Sequence, residues 1–414
     1  MLNVLKSKPE LHSAELALVL YLFHGNISAG VSWVILGLTG RELNLLGTPL
    51  VAVTMLCAAI ALLHHFRRLK LDSLVLIIIF GFLYMVACLN PDSAYQVSRQ
   101  NLVQVTLLDC IPAYILFRMC RHYDAIWKYA KVTSYVVLFV YAAAFVVYDV
   151  GHVYRSFSAG MALPALLFVV EWLYLEKNRT APFAVLAIAL LVVGGRRSSL
   201  IAVIILICII LFLKRDFVLL AAVALVGGAL YLSFDMVVEQ LYYFSSDFGI
   251  NSRTLRRLMS GEAMEDSHRI DQWAYVLQLI LRSPQSALAG LGIAGERSYM
   301  LAHFAHMQLQ GYPHGLLVEL IGHYGIVLGL ALDVLLIAVG PYRVFRVINN
   351  DRVAMTVVLL FVALVSQLLF QDSYLQNKFF FVYLAILVNF AVGRRGEEAT
   401  MFDPTFSVGR RTLS

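Results

Sequence analysis

Three short stretches carry the groups suited to handling a charged substrate. In "GGRRSSL", Arg196 and Arg197 stand between two long apolar runs. A guanidinium fork binds phosphate oxygens in pairs and keeps its charge at any working pH. Gly194 and Gly195 permit close backbone approach, so the turn reads as an anion site; the alternative is a solvated turn with snorkelling side chains. In "SHRIDQWAYVLQLILRSP", Arg269 falls in the first turn of a predicted helix, where free N–H groups favour an anion. There the alternative is a cation offset by Asp266 or Asp271. In "GYPHGLLVELIGHYGIVLGL", Pro313 ends a loop and His314 opens an apolar helix. The helix dipole disfavours an imidazolium at that end, leaving a ring able to accept a proton as a general base. A capping or interfacial histidine is the plainer alternative.

The elements that position these groups are set by hydropathy. Of 414 residues, 60% are hydrophobic and 14% charged, against about 25% charged in ordinary soluble chains; the mean hydropathy is +0.78. Repeated apolar runs of membrane-crossing length make this an all-α polytopic membrane protein. Twelve spans are predicted, near 15–36, 46–65, 73–89, 102–119, 132–150, 159–176, 181–195, 200–213, 217–234, 316–340, 353–370 and 378–393. Residues 1–234 thus hold nine spans, 235–313 form one long loop with amphipathic helices, 314–393 hold three more spans, and 394–414 are a tail. The run after Lys6 and Lys8 lacks a convincing cleavage site and reads as a retained first helix.

Loops after even-numbered spans are basic ("RRLK" at 67–70; Arg118, Arg121, Lys128 and Lys131; Lys214 and Arg215; Arg343 and Arg346), which predicts cytoplasmic termini and outward-facing odd loops. The net charge of +6 is therefore an orientation signal and not a nucleic-acid signal. Arg196, Arg197 and the long loop fall on the outer side. A connection of that length is usually functional or disordered. Here Ile270, Trp273, Leu277, Ile280 and Leu281 recur at helical spacing, predicting an amphipathic helix on or near the membrane surface, capped by Ser267 or Asp266 and ended by Pro284. Arg253, Arg256 and Arg257 read as a solvated face or lipid-headgroup contact. His303, His306 and His323 are less distinctive; a metal pair at 303 and 306 lacks an acidic or cysteine partner. The five cysteines (Cys57, Cys88, Cys110, Cys120, Cys208) show no metal-ligand or disulfide spacing.

Together the motifs "GGRRSSL", "HRIDQW…SP…G.G" and "PHGLLVELIGHYGIVLG" resemble those of the O-antigen ligase and polymerase superfamily of bacterial envelope glycosyltransferases, in order and spacing and across essentially the whole chain. The resemblance implies a GT-C-like fold and a metal-independent, inverting enzyme of the inner membrane that needs no cofactor. It implies an undecaprenyl-pyrophosphate-linked O-antigen donor and a lipid A core acceptor, used at the periplasmic face. On the matching positions, Arg196, Arg197 and Arg155 (in "YRSFSAG") bind pyrophosphate, while Arg269 and His314 are catalytic. The chain departs from the pattern at Gly315, where asparagine or serine often follows the histidine, and at His323, where an acid often stands; Glu319 lies one turn earlier. A polymerase of the same superfamily is the neighbouring expectation, though the single long loop favours the ligase. A secondary transporter is the expectation from another class; Asp109, Glu171 and Asp333 lie within or near spans, but Glu171 and Asp333 fall near cytoplasmic ends, so that expectation rests on Asp109.

Overall fold

The computed structural model describes residues 12–41, 47–65, 105–148, 154–194, 197–232, 240, 243, 268–303, 313, 315–348, 351–369 and 373–391. Within them the chain is helical, with no strand among the described residues. The helices are α1 (Ser13–Thr39), α2 (Gly47–His65), α3 (Ile111–Met119), α4 (Tyr123–Val147), α5 (Tyr154–Val169), α6 (Ala181–Gly194), α7 (Arg197–Leu213) and α8 (Phe217–Leu232). After these come α9 (His268–Leu281), α10 (Pro284–Ala289), α11 (Gly292–His303), α12 (Leu316–Asp333), α13 (Gly340–Val347), α14 (Arg352–Ser366) and α15 (Lys378–Ala391). Wider π turns lead into α3 (Thr106–Cys110), extend α5 (Val170–Tyr174) and join α12 to α13 (Val334–Val339).

Among the described residues, five stretches are long and apolar enough to cross a membrane: Ser13–Thr39, Tyr123–Val147, Ser156–Tyr174, Leu316–Val347 and Arg352–Leu369; shorter apolar helices accompany them. This is a multi-pass helical membrane protein. Helices occupy the predicted spans wherever these fall within the described residues; the span at 73–89 and the tail 394–414 lie outside them. The tenth span runs on to Val347, because the π turn carries the helix past the predicted end near 340.

The centre of the bundle is α14. Its residues Ala354–Phe361 and Ala363–Ser366 are all buried, and it packs against α4, α5, α7 and α15. A helix apolar on every side belongs in a core. Asp351 starts it by accepting the N–H groups of Val353 and Ala354 at 2.9 and 3.0 Å, a side-chain cap on otherwise unpaired donors. Around this axis α1 packs on α2 and α4, and α5 on α6.

At one end of the bundle the charges are paired. Glu15 accepts the N–H groups of Arg121 and His122 at 2.8 and 3.0 Å. Buried Glu171 takes the Trp127 indole N–H at 3.2 Å and the ammonium groups of Lys131 at 2.6 Å and Lys177 at 3.1 Å. Lys214 and Glu176 pair at 2.7 Å on the surface nearby. Glu171 is thus an ion-pair clamp at a helix end, in keeping with its expected place near the cytoplasmic end of a span. Replacing Glu171 with alanine strands two cations and an indole N–H, although Lys131 and Lys177 stay partly hydrated. The expected loss is about 1–3 kcal/mol, read as a lower melting temperature of the detergent-solubilised protein, with Glu171→Gln intermediate.

Candidate functional site

The other end of the bundle gathers the segments that carry the sequence-predicted residues. Arg155 is the second residue of α5, Arg197 the first of α7 and Arg269 the second of α9; Arg196 and His314 lie outside the described residues, as do Arg253, Arg256, Arg257, Asp266, Ser267 and His306. One turn into α5, the Ser158 hydroxyl donates to the carbonyl of Leu191 in the last turn of α6 at 3.5 Å. One turn into α7, the buried Ser199 hydroxyl donates to Oε1 of Gln367 at 3.5 Å. The serines of "GGRRSS" are therefore buried packing groups. These bonds bring the start of α5, the α6–α7 turn and the far end of α14 to one place.

The long loop folds onto the same end. Trp273, one turn after Arg269 on α9, donates its indole N–H to the carbonyl of Pro313 at 2.7 Å. Its ring also lies over Gly315, where an added Cβ would come within 2.9 Å of the indole. Both chain neighbours of His314 are thus held by the helix that carries Arg269. Further along, the amide of Leu291 donates to the carbonyl of Gly322 at 2.8 Å. Gly290 (φ +76°) and Gly325 (φ +82°) allow the α10–α11 turn and α12 to touch through bare backbone. A Cβ on Gly290 would meet the His323 carbonyl at 2.4 Å, and one on Gly325 the Leu288 carbonyl at 2.4 Å. Gly290 of the "G.G" motif and Gly325 of the "HYG" motif serve this contact, whereas a Cβ on Gly292 (φ +70°) would meet nothing within 4 Å.

Helix α9 has two apolar stripes. Gln272, Val276, Leu279 and Ile280 are buried, against α12 and its neighbours, while Ile270, Leu277 and Leu281 are 67%, 38% and 69% exposed, as an apolar stripe at a membrane surface would be. The packed stripe is not the one inferred from spacing and exists because α9 rests on protein along one side. Helix α9 ends at Leu281, three residues before Pro284, which opens α10; Ser283 caps that start by accepting the Ser286 N–H at 3.0 Å. His303 stacks on Tyr275 with ring centroids 4.1 Å apart.

Beneath these contacts lies a buried polar network that the motifs did not announce. Glu319, in the first turn of α12, accepts the Ser373 hydroxyl and, at 3.3 Å, the Tyr374 N–H. Arg297 on α11 donates to the Ser373 hydroxyl at 3.3 Å. The Tyr374 hydroxyl lies 3.0 Å from Nδ1 of His323 and donates to the Tyr324 hydroxyl at 3.2 Å. Nε2 of His323 is 3.5 Å from the buried carboxyl of Glu296. Burial above all, with the Glu319 carboxylate adding, pushes the Glu296 carboxyl well above the usual range, and Arg297 pulls partly back. Glu319 and His323 stand within the "PHGLLVELIGHYGIVLG" motif; for the rest of the network the sequence signal was an adjacent Glu–Arg pair in a loop rich in small residues, "GIAGERSY". Asp333 is buried as well, and neither carboxyl oxygen has a hydrogen-bond partner.

Helices α5, α7 and α9 thus each carry an arginine within their first two residues, and Trp273 of α9 holds Pro313 and Gly315. No group of three or more possible metal ligands occurs among the described residues. Residues 182–332, from α6 to the end of α12, match the family model described as O-antigen ligase. That stretch includes Arg196, Arg197, Arg269 and His314, and excludes Arg155. No curated protein matches the chain.

Two outcomes are expected. Trp273→Phe keeps a ring over Gly315 but loses the bond to Pro313, lowering stability by about 1–2 kcal/mol. Gly315→Ala displaces the same ring, so thermal melts of the double variant should show less than the summed loss. For Glu296, a raised native pKa means the folded state holds its proton more tightly than the unfolded chain. The stability so gained is complete below the ordinary carboxylate range and is lost as pH rises through the native value. Glu296→Gln removes that dependence: its melting temperature falls less than that of the wild type as pH is raised.

Proposed function

With an O-antigen ligase superfamily domain over residues 182–332, we propose that the chain is the ligase itself. In this reading it transfers O-antigen from undecaprenyl pyrophosphate to the lipid A core oligosaccharide, at the periplasmic face of the inner membrane. The observation that carries the proposal is the hold of Trp273 on Pro313 and Gly315, which ties the Arg269 helix to the segment around His314 within the matched domain.

The chemistry follows from the residue types. A hydroxyl oxygen of the acceptor sugar attacks the anomeric carbon of the donor from the face opposite its pyrophosphate. The new glycosidic bond forms as the bond to the pyrophosphate oxygen breaks, inverting the anomeric centre. His314 takes the hydroxyl proton as general base. Undecaprenyl pyrophosphate departs, and Arg196, Arg197, Arg269 and Arg155 meet the negative charge that grows on it. Because arginine stays protonated, that stabilisation holds throughout the working pH range.

Alanine at Arg196 or Arg269 should lower transfer about 10²–10³-fold, and His314→Ala about 10²–10⁴-fold, with melting temperatures unchanged. The assay mixes purified protein with lipid-linked glycan and lipid A core and follows which acceptor gains mass. Full activity of His314→Ala at normal folding removes the general-base role, and elongation of the lipid-linked glycan alone replaces ligase with polymerase.

A further inference from the structure

A second set of polar groups sits apart from the Glu319 network. Within the long apolar helix α1 runs "HGN": His24, Gly25 and Asn26. His24 Nδ1 lies 2.9 Å from the Tyr21 carbonyl, and the Asn26 side-chain amide donates to the carbonyl of Gly160 on α5 at 3.5 Å. The π turn before α3 supplies Asp109, and α15 opens on Lys378. The Lys378 ammonium donates to the carbonyls of Tyr21 and Leu22 at 3.3 and 2.9 Å. Tyr21 in turn donates its hydroxyl to the carbonyl of Leu108. Three elements distant in sequence are thereby pinned together, and a carboxylate, an imidazole and an ammonium come to one neighbourhood, with the Asn26 amide two residues beyond His24 on α1.

Asp109 is the telling member. Its carboxylate is exposed and makes no hydrogen bond or ion pair among the described residues, yet it stands within electrostatic reach of Lys378 and His24. An ionised group in an apolar run costs at least a few kcal/mol unless paired or hydrated. A setting in which the patch lines water-accessible space is the one that keeps the carboxylate charged. A π turn at such a place often marks a functional site, since it re-aims the side chains it carries.

We propose that His24, Asn26, Asp109 and Lys378 form a saccharide subsite. A carboxylate and an amide accept sugar hydroxyls, while the amide and ammonium donate back to them. One acid against one lysine leaves little net charge, which suits a neutral polyol better than a phosphate. Gly160, the anchor of Asn26, is five residues beyond Arg155 on α5, about 7–8 Å along the axis at ~1.5 Å per residue. The subsite thus lies one to two turns deeper in the bundle than the first of the arginine positions. Which substrate presents its sugar there rests on the glycosyl-transfer reading; the subsite itself does not.

The test uses the full-length protein in detergent and two probes: lipid-free, phosphate-free repeat-unit oligosaccharide, and core oligosaccharide treated likewise. Saturation-transfer NMR and calorimetry measure binding. One probe is expected to bind saturably, with Asp109→Asn and Asn26→Ala each weakening it at least tenfold. Lys214→Ala, at the opposite end, should leave it unchanged. Lys378 is kept intact because it holds α15 to α1. Binding of neither probe, or equal binding by wild type and both well-folded variants, overturns the subsite. So does competition between the bound oligosaccharide and inorganic pyrophosphate, which would make the patch an anion site. If His314→Ala transfers normally while Asp109→Asn still weakens binding, the reaction reading falls and the subsite stands. Loss of transfer in His314→Ala with unaltered oligosaccharide binding in Asp109→Asn gives the converse.

Discussion

A carboxylate shut away from water must find its donors within the protein, and Glu319 finds them on segments far away in the chain. Its oxygens take the Ser373 hydroxyl and the Tyr374 amide, and through Ser373 it is joined to Arg297 of the loop. Breaking such a set leaves buried groups unsatisfied, a penalty of about 1–3 kcal/mol for each neutral one and more for a charged one. The network therefore fixes three things at once: the first turn of α12, the seat of α11, and the turn ahead of α15. Once α12 is fixed, Gly322 and Gly325 receive the α10–α11 turn, and Trp273 settles over Gly315. The long loop is in this sense an extension of the bundle.

The two ends of the bundle use charge in opposite ways. Glu15, Glu171 and Glu176 each meet donors supplied by a neighbouring helix or its flanking turn, so that end is electrostatically closed. At the other end, α5, α7 and α9 each begin with an arginine in the first two positions. A cation at a helix start is mildly unfavourable, and three such placements at one end suit a substrate that brings its own negative charge. Asp109 adds a different chemistry to the same bundle: among the described residues its carboxylate is left open, while Tyr21 and Lys378 beside it are engaged in holding helices.

Much of this was legible in the sequence, since a helix that must cross hydrocarbon has to be apolar along its full length. The start of α9 and the glycine-rich opening of α12 were legible too, through residue types that apolar packing does not need. What escaped was phase and partnership. The spacing of Ile270, Leu277 and Leu281 marked the exposed apolar stripe of α9 but not the second one, at Val276 and Leu279, by which it packs on protein, because hydropathy alone does not say which of two greasy stripes meets a neighbour. Pro284 announced a break, but not that a new helix would begin on it. Glu296, Arg297, Ser373 and Tyr374 carried almost no signal, since each acquires its role only through residues some 20 to 80 positions away.

Among the described residues, π turns occur at Thr106–Cys110, Val170–Tyr174 and Val334–Val339. Each accommodates one residue more than an α-helical turn would, so the side chains on either side of it follow different wheels. Glu171 and Asp109 sit inside such turns, and Asp333 immediately before one. These are the points at which the chain can gain or drop a single residue without sliding whole helices through the membrane. Evolutionary change in the length of these helices should therefore be confined to such turns, next to the acids whose direction the extra residue sets.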